Sequence, residues 1–106
     1  MLDVRPLAVL VERIEARWSP AQIWLFGSRA RGDAHAASDW DLLVVVPDHL
    51  PDALVDDPLI GWRLQKDSGV YADVIACKRE EFEAARRTPN TLAFEAATNG
   101  VLLYER

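Results

Sequence analysis

The chain has 106 residues, half of them hydrophobic and 27% charged, a composition that argues against disordered tails and leads us to expect a single domain spanning 1–106, too small for a second catalytic lobe. Twelve basic against 17 acidic residues leave a net charge of −5, the wrong sign for gripping a phosphate backbone, so nucleic acid fits poorly as the main partner. Cys77 is the only cysteine, which excludes an internal disulfide. The N-terminus mixes acids and arginines into its apolar positions rather than forming a signal-peptide core, and no apolar run approaches the roughly 18 residues of a membrane span, so a cytoplasmic protein is expected.

Leu7, Leu10, Val11 and Ile14 recur at helical spacing between Pro6 and Trp18, with Glu12, Glu15 and Arg17 opposite, which predicts an amphipathic first helix broken at Ser19-Pro20. The run 23–26 (IWLF) predicts a strand ending at Gly27, and 40–46 (WDLLVVV) a second strand closed by Pro47. Residues 47–57, rich in Asp and Pro, read as an acidic loop, followed by a short helix around 59–66. A third strand is expected over 70–77 (VYADVIAC) and a helix over 79–87 stopped near Pro89. Then comes a last helix with Asn90 as N-cap and Gly100 as its stop, and 101–104 (VLLY) finishes as an edge strand. The implied class is α/β (α+β), a small mixed sheet with flanking helices, without repeats or linkers.

The chemistry concentrates in 27–46, GSRARGDAHAASDWDLLVVV. Alternation along a strand turns Asp39 and Asp41 the same way, two rises of about 3.3 Å apart, and two like charges that close are costly without a cation. Carboxylate oxygens suit Mg²⁺, which commonly takes only one or two protein carboxylates and fills its remaining positions with water and substrate phosphate. Gly27 and Ser28, just past a strand end, could let backbone and a small hydroxyl approach phosphate, and a helical turn over the following RARG would add free N–H groups. From the residues alone a second reading stays open: Gly-Ser as an ordinary turn, Asp39 as a cap, and Asp41 solvated on an edge strand.

Gly27-Ser28, ten residues, then Asp39-Trp40-Asp41 resembles the signature of the nucleotidyltransferase superfamily that includes DNA polymerase beta. The surrounding GSRARG, Ser38 and DLLVVV resemble especially the minimal nucleotidyltransferases (MNT proteins) encoded beside HEPN-domain toxins in toxin–antitoxin modules. Most of the chain is covered by the likeness, but only this first motif is sharp. The resemblance implies a nucleotidyltransferase-like fold and a third carboxylate on a neighbouring strand, for which Asp73 is the candidate and Asp67 the runner-up. A lone Asp in a buried strand would in any case need a partner or a metal. It further implies Asp39, Asp41 and Asp73 as catalytic residues and ligands of two Mg²⁺ ions, with Asp73 positioning or deprotonating the attacking hydroxyl. Gly27 and Ser28 would hold the outer phosphates, with Arg29 and Arg31 available to them.

The leading expectation is an antitoxin that moves AMP from ATP to a hydroxyl, a tyrosine, of a partner HEPN toxin. Alternatives are a non-catalytic module that neutralises a partner by contact, and a small-molecule nucleotidyltransferase subunit; at this size the acceptor surface would come from a partner or a second copy, so a hetero-complex or homo-oligomer is in view. His35 and His49 lack neighbours at zinc-ligand spacing and read as exposed loop residues. Trp24 and Trp40 fall on strands as core, Cys77 reads as a small buried hydrophobe, and Trp62, on a surface helix, is a candidate partner anchor.

Overall fold

The computed structural model describes residues 2–35 and 37–106. A single 3-10 turn at Arg5–Leu7, where Pro6 needs no N–H partner, leads into α1 (Ala8–Trp18). The expected stripe buries Leu10, Ile14 and Trp18, and Ser19 ends the helix in a left-handed conformation (φ 45°).

Next come β1 (Gln22–Phe26), a five-residue helix α2 (Gly27–Arg31) and β2 (Trp40–Val46). Two short helices, α3 (Asp52–Val55) and α4 (Ile60–Gln65), lead to β3 (Ala72–Lys78). The chain closes with α5 (Arg79–Ala85), α6 (Leu92–Asn99) and β4 (Val101–Glu105). β1 pairs antiparallel with both β2 and β4, while β2 and β3 run parallel, giving one mixed sheet of order β3-β2-β1-β4.

β2 reads as a continuous apolar run because both of its faces are covered. Trp40, Leu42, Val44 and Val46 enter one core with Leu10, Ile14 and Trp18 of α1, Val55 of α3, and Ile60 and Leu64 of α4. Leu43 and Val45 enter a second core with Phe82 of α5 and Ala93 and Ala96 of α6. The class expected from the sequence, a small mixed sheet flanked by helices, is the one observed.

Two local expectations are corrected. The stretch 47–57 is not all loop: α3 forms within it because Val55 is buried, Asp52 suits the positive end of a helix, and Trp18 donates its indole N–H to the Leu54 carbonyl at 2.8 Å. Asn90 is not the N-cap of α6. It takes a left-handed turn (φ 69°), and the Thr91 hydroxyl accepts the Phe94 N–H at 3.1 Å instead. Gly100 does stop α6, but with extended rather than left-handed backbone.

Candidate active site

Strand register assembles the site. Phe26, the last residue of β1, lies opposite Asp41, and Asp41 lies opposite Asp73 across the parallel pair. Adjacent strands lie about 4.8 Å apart, so the second residues of β2 and β3 bring two carboxylates side by side at one end of the sheet. They share the face that carries Leu43, Val45, Ile75 and Cys77 further along. Asp39 precedes β2 and is exposed, while Trp40 between the two aspartates is buried in the opposite core.

Asp41 is the electrostatic centre. Partial burial, then the nearby Asp73, then Asp39, push its carboxyl above the usual carboxylate range, and Arg31 is the cation that opposes them. Among the described residues no three His, Cys, Asp or Glu side chains are gathered into a ready-made metal cage. The donor chemistry nonetheless fits a hard divalent cation: every candidate ligand is a carboxylate oxygen, Asp41 is short of positive charge, and Mg²⁺ needs as few as one or two protein carboxylates.

Gly27 lies against this carboxylate. Its φ is 75°, and a Cβ built there would overlap Oδ2 of Asp41, so backbone without a side chain is what lies against the acid. Phe26 is extended at the N-cap of α2 and offers no side-chain acceptor to the first turn, which leaves those N–H groups for water or a ligand. Ser28 is half-buried in that turn, its carbonyl accepting the Gly32 and Asp33 N–H groups at 3.0 and 3.2 Å.

The two arginines divide. Arg29 donates from Nε and Nη2 to the Ser38 carbonyl at 3.2 and 2.7 Å and stacks over Trp40 at 4.4 Å, so these contacts lie with the segment entering β2. Arg31 is half-exposed and reaches Asp33 and, on α6, Glu95 at 3.3 and 3.4 Å. His35 is a turn residue: Ser38 Oγ accepts its N–H at 3.0 Å, and its Nδ1 accepts the Ala37 N–H at 3.2 Å.

The expectation that Asp73 sits in a buried strand is corrected. β3 is an edge strand and Asp73 is exposed, so desolvation does not force a partner on it. Register, not burial, brings it to Asp41. Asp67 lies in a left-handed turn (φ 58°), its carbonyl facing Arg13 at 3.5 Å. Two participants were not foreseen. Glu95 as a partner of Arg31 left no signal in the sequence, while the packing of Gly27 on Asp41 was hinted at only by the glycine.

Residues 7–97 match the family model described as nucleotidyltransferase domain. The chain superposes on a toxin–antitoxin crystallised with AMP-PNP with a TM-score of 0.66 at 20% identity, covering 97% of this chain and 75% of that one. A candidate nucleotidyltransferase from Sulfolobus solfataricus gives a TM-score of 0.55 at 21% identity over 95% of this chain and 84% of that one. No curated protein sequence matches the chain.

Proposed function

The chain belongs to the nucleotidyltransferase domain family, and on that premise we propose that it is a Mg²⁺-dependent transferase, one domain over 1–106. In this reading it moves AMP from ATP to a tyrosine hydroxyl of a partner HEPN-domain toxin and so acts as an antitoxin. The observation that carries the reading is the carboxylate row: Asp41 lies opposite Asp73, and partial burial, then Asp73, then Asp39 push its carboxyl above the usual carboxylate range. The likeness to a toxin–antitoxin crystallised with AMP-PNP supports an adenine nucleotide and a toxin partner.

Asp39, Asp41 and Asp73 would hold two Mg²⁺ ions, which when bound neutralise charge on the triphosphate and on the pyrophosphate that leaves. Ser28 Oγ and the N–H groups of the first turn of α2 bind the outer phosphates, with Gly27 letting the backbone come close and Arg31 adding positive charge. Asp73, exposed at the sheet end, orients the acceptor hydroxyl and takes its proton as the oxygen attacks the α-phosphorus. The bond from that phosphorus to the bridging oxygen breaks, pyrophosphate departs, and the proton passes from Asp73 to solvent. Arg29 holds the segment entering β2 and so keeps Asp39 and Asp41 in place.

The test is the intact mass of a purified HEPN-domain toxin that forms a complex with this chain, after incubation with ATP and Mg²⁺ and either wild type or Asp41→Asn. An AMP-sized increase with wild type alone is the expected result. A stable complex in both cases without any increase would replace the transferase with a binding-only antitoxin.

A further inference from the structure

β3 is the edge of the sheet beside the carboxylate row, and among the described residues its outer side is not paired with another strand. Helix α4 crosses it closely: a Cβ on Gly61 would stand 2.9 Å from the Val74 carbonyl, so a larger residue would lift the helix away. Beside the crossing an open groove of about 570 Å³ runs from Asp56 and Asp57 past Trp62 to Asp73. Asp73 therefore belongs both to the row facing Asp41 and to the lining of this groove.

Trp62 is 58% exposed, a large apolar area left in water. The helix that carries it is held firmly, since Arg13 on α1 donates from Nη1 to the carbonyls of Leu64 and Lys66 at 2.9 and 2.6 Å. Lys66 lies 5.1 Å from the Trp62 ring centroid and Arg63 sits 3.7 Å from Asp57, so the aromatic ring and the acids already attract cations from their own chain. Asp56 is exposed, and the chain as a whole carries −5.

We propose that this groove docks a cationic polypeptide segment of the acceptor. Lys or Arg side chains of that segment pair with Asp56 and Asp57, an aliphatic stem packs on Trp62, and a hydroxyl is delivered to Asp73. The proposal rests on the reading of the chain as a protein-modifying transferase. The pattern is that of an interface hot spot, an aromatic anchor within a charged rim, and its sign selects a basic rather than an acidic partner.

The test uses the peptide Lys-Lys-Tyr-Lys-Lys, with Glu-Glu-Tyr-Glu-Glu as control, titrated into isotope-labelled chain and followed by amide chemical shifts. Shifts gathered at 56–62 and 72–76 with the basic peptide alone are expected. Trp62→Ala should weaken binding by about tenfold, Asp56→Asn should weaken it to a smaller degree, and Glu12→Gln, an equal charge change on the exposed side of α1, should leave it unchanged. Shifts scattered over the surface, no shift in the groove, or equal losses in all three variants overturn the proposal. Adding ATP and Mg²⁺ and weighing the peptide separates the two readings. Docking in the groove without nucleotide gain keeps the surface and removes the transferase, whereas transfer at an undiminished rate by Trp62→Ala keeps the transferase and removes the surface.

Discussion

Along one face of the parallel pair β2–β3, two different materials follow one another. Asp41 stands opposite Asp73, and then Leu43 stands opposite Ile75 and Val45 opposite Cys77. The apolar portion packs against Phe82, Ala93 and Ala96, with Leu43 and Val45 fully buried and Ile75 and Cys77 partly so, while the acidic portion is half-buried at Asp41 and open at Asp73. The same backbone ladder carries both, so the packed end acts as a vice that fixes the carboxylates of the open end without any side chain having to bridge them. Rigidity and charge are separated by one strand period.

The sharpest way to break this contrast is Asp41→Asn, which keeps the shape and removes the charge. Under the proposed function it should lower transfer by at least about a hundredfold in a mass-based assay while the fold survives. Leu43→Ala, two residues along on the same face, should do the reverse. Leu43 is 2% exposed, and truncating it should cost about 2–5 kcal/mol in urea unfolding, with activity per folded molecule largely kept. If Leu43→Ala instead abolished transfer in fully folded protein, the division of labour between the two ends would be wrong.

Gly27→Ala probes the seam between them. A left-handed alanine costs about 1–2 kcal/mol, and its Cβ must displace the Asp41 carboxylate, so we expect that stability loss together with at least about tenfold slower transfer. The smallest effect is a pH dependence. The Asp41 carboxyl is raised from 3.8 in the folded chain, so the folded state keeps that proton to higher pH than the unfolded chain does. In chelator, Asp41→Asn and wild type should unfold alike below the ordinary value; wild type should then lose stability relative to the variant as pH rises through the window up to the folded value, and the gap should stay constant above it. A gap of opposite sign would mean that Asp41 already has a cationic partner stronger than Arg31.

Much of this was legible in the sequence, for reasons that differ by element. The strand 40–46 appeared with the expected bounds because Trp, Leu and Val leave no other reading of a seven-residue run between Asp39 and Pro47. Helix α3 was hidden because four residues cannot show a period, and only burial of Val55 and the Trp18 bond to Leu54 make it. Asn90 and Thr91 are both good caps, and which one wins depends on the left-handed turn that ends the preceding segment. Strand alternation turned Asp39 and Asp41 the same way, and the family resemblance marked them as site residues. That Asp73 stands opposite Asp41 depends on a parallel register, and no local pattern encodes register between segments more than thirty residues apart. Trp62 was marked as a possible anchor, but its groove exists only where α4 lies down on β3.

The antiparallel register that sets Phe26 against Asp41 has one more consequence. Both ends of the connection 27–39 are pinned to neighbouring strands, so the distance from Gly27 to the acids is set across the sheet and not along the chain. Between the end of α2 and that pinned entry to β2, the chain at the exposed Asp33 is a place where natural variation or an engineer can change the length. Two residues inserted after Asp33, where the side chain is exposed, should leave transfer within about twofold, and such a site could carry a reporter tag without touching the chemistry.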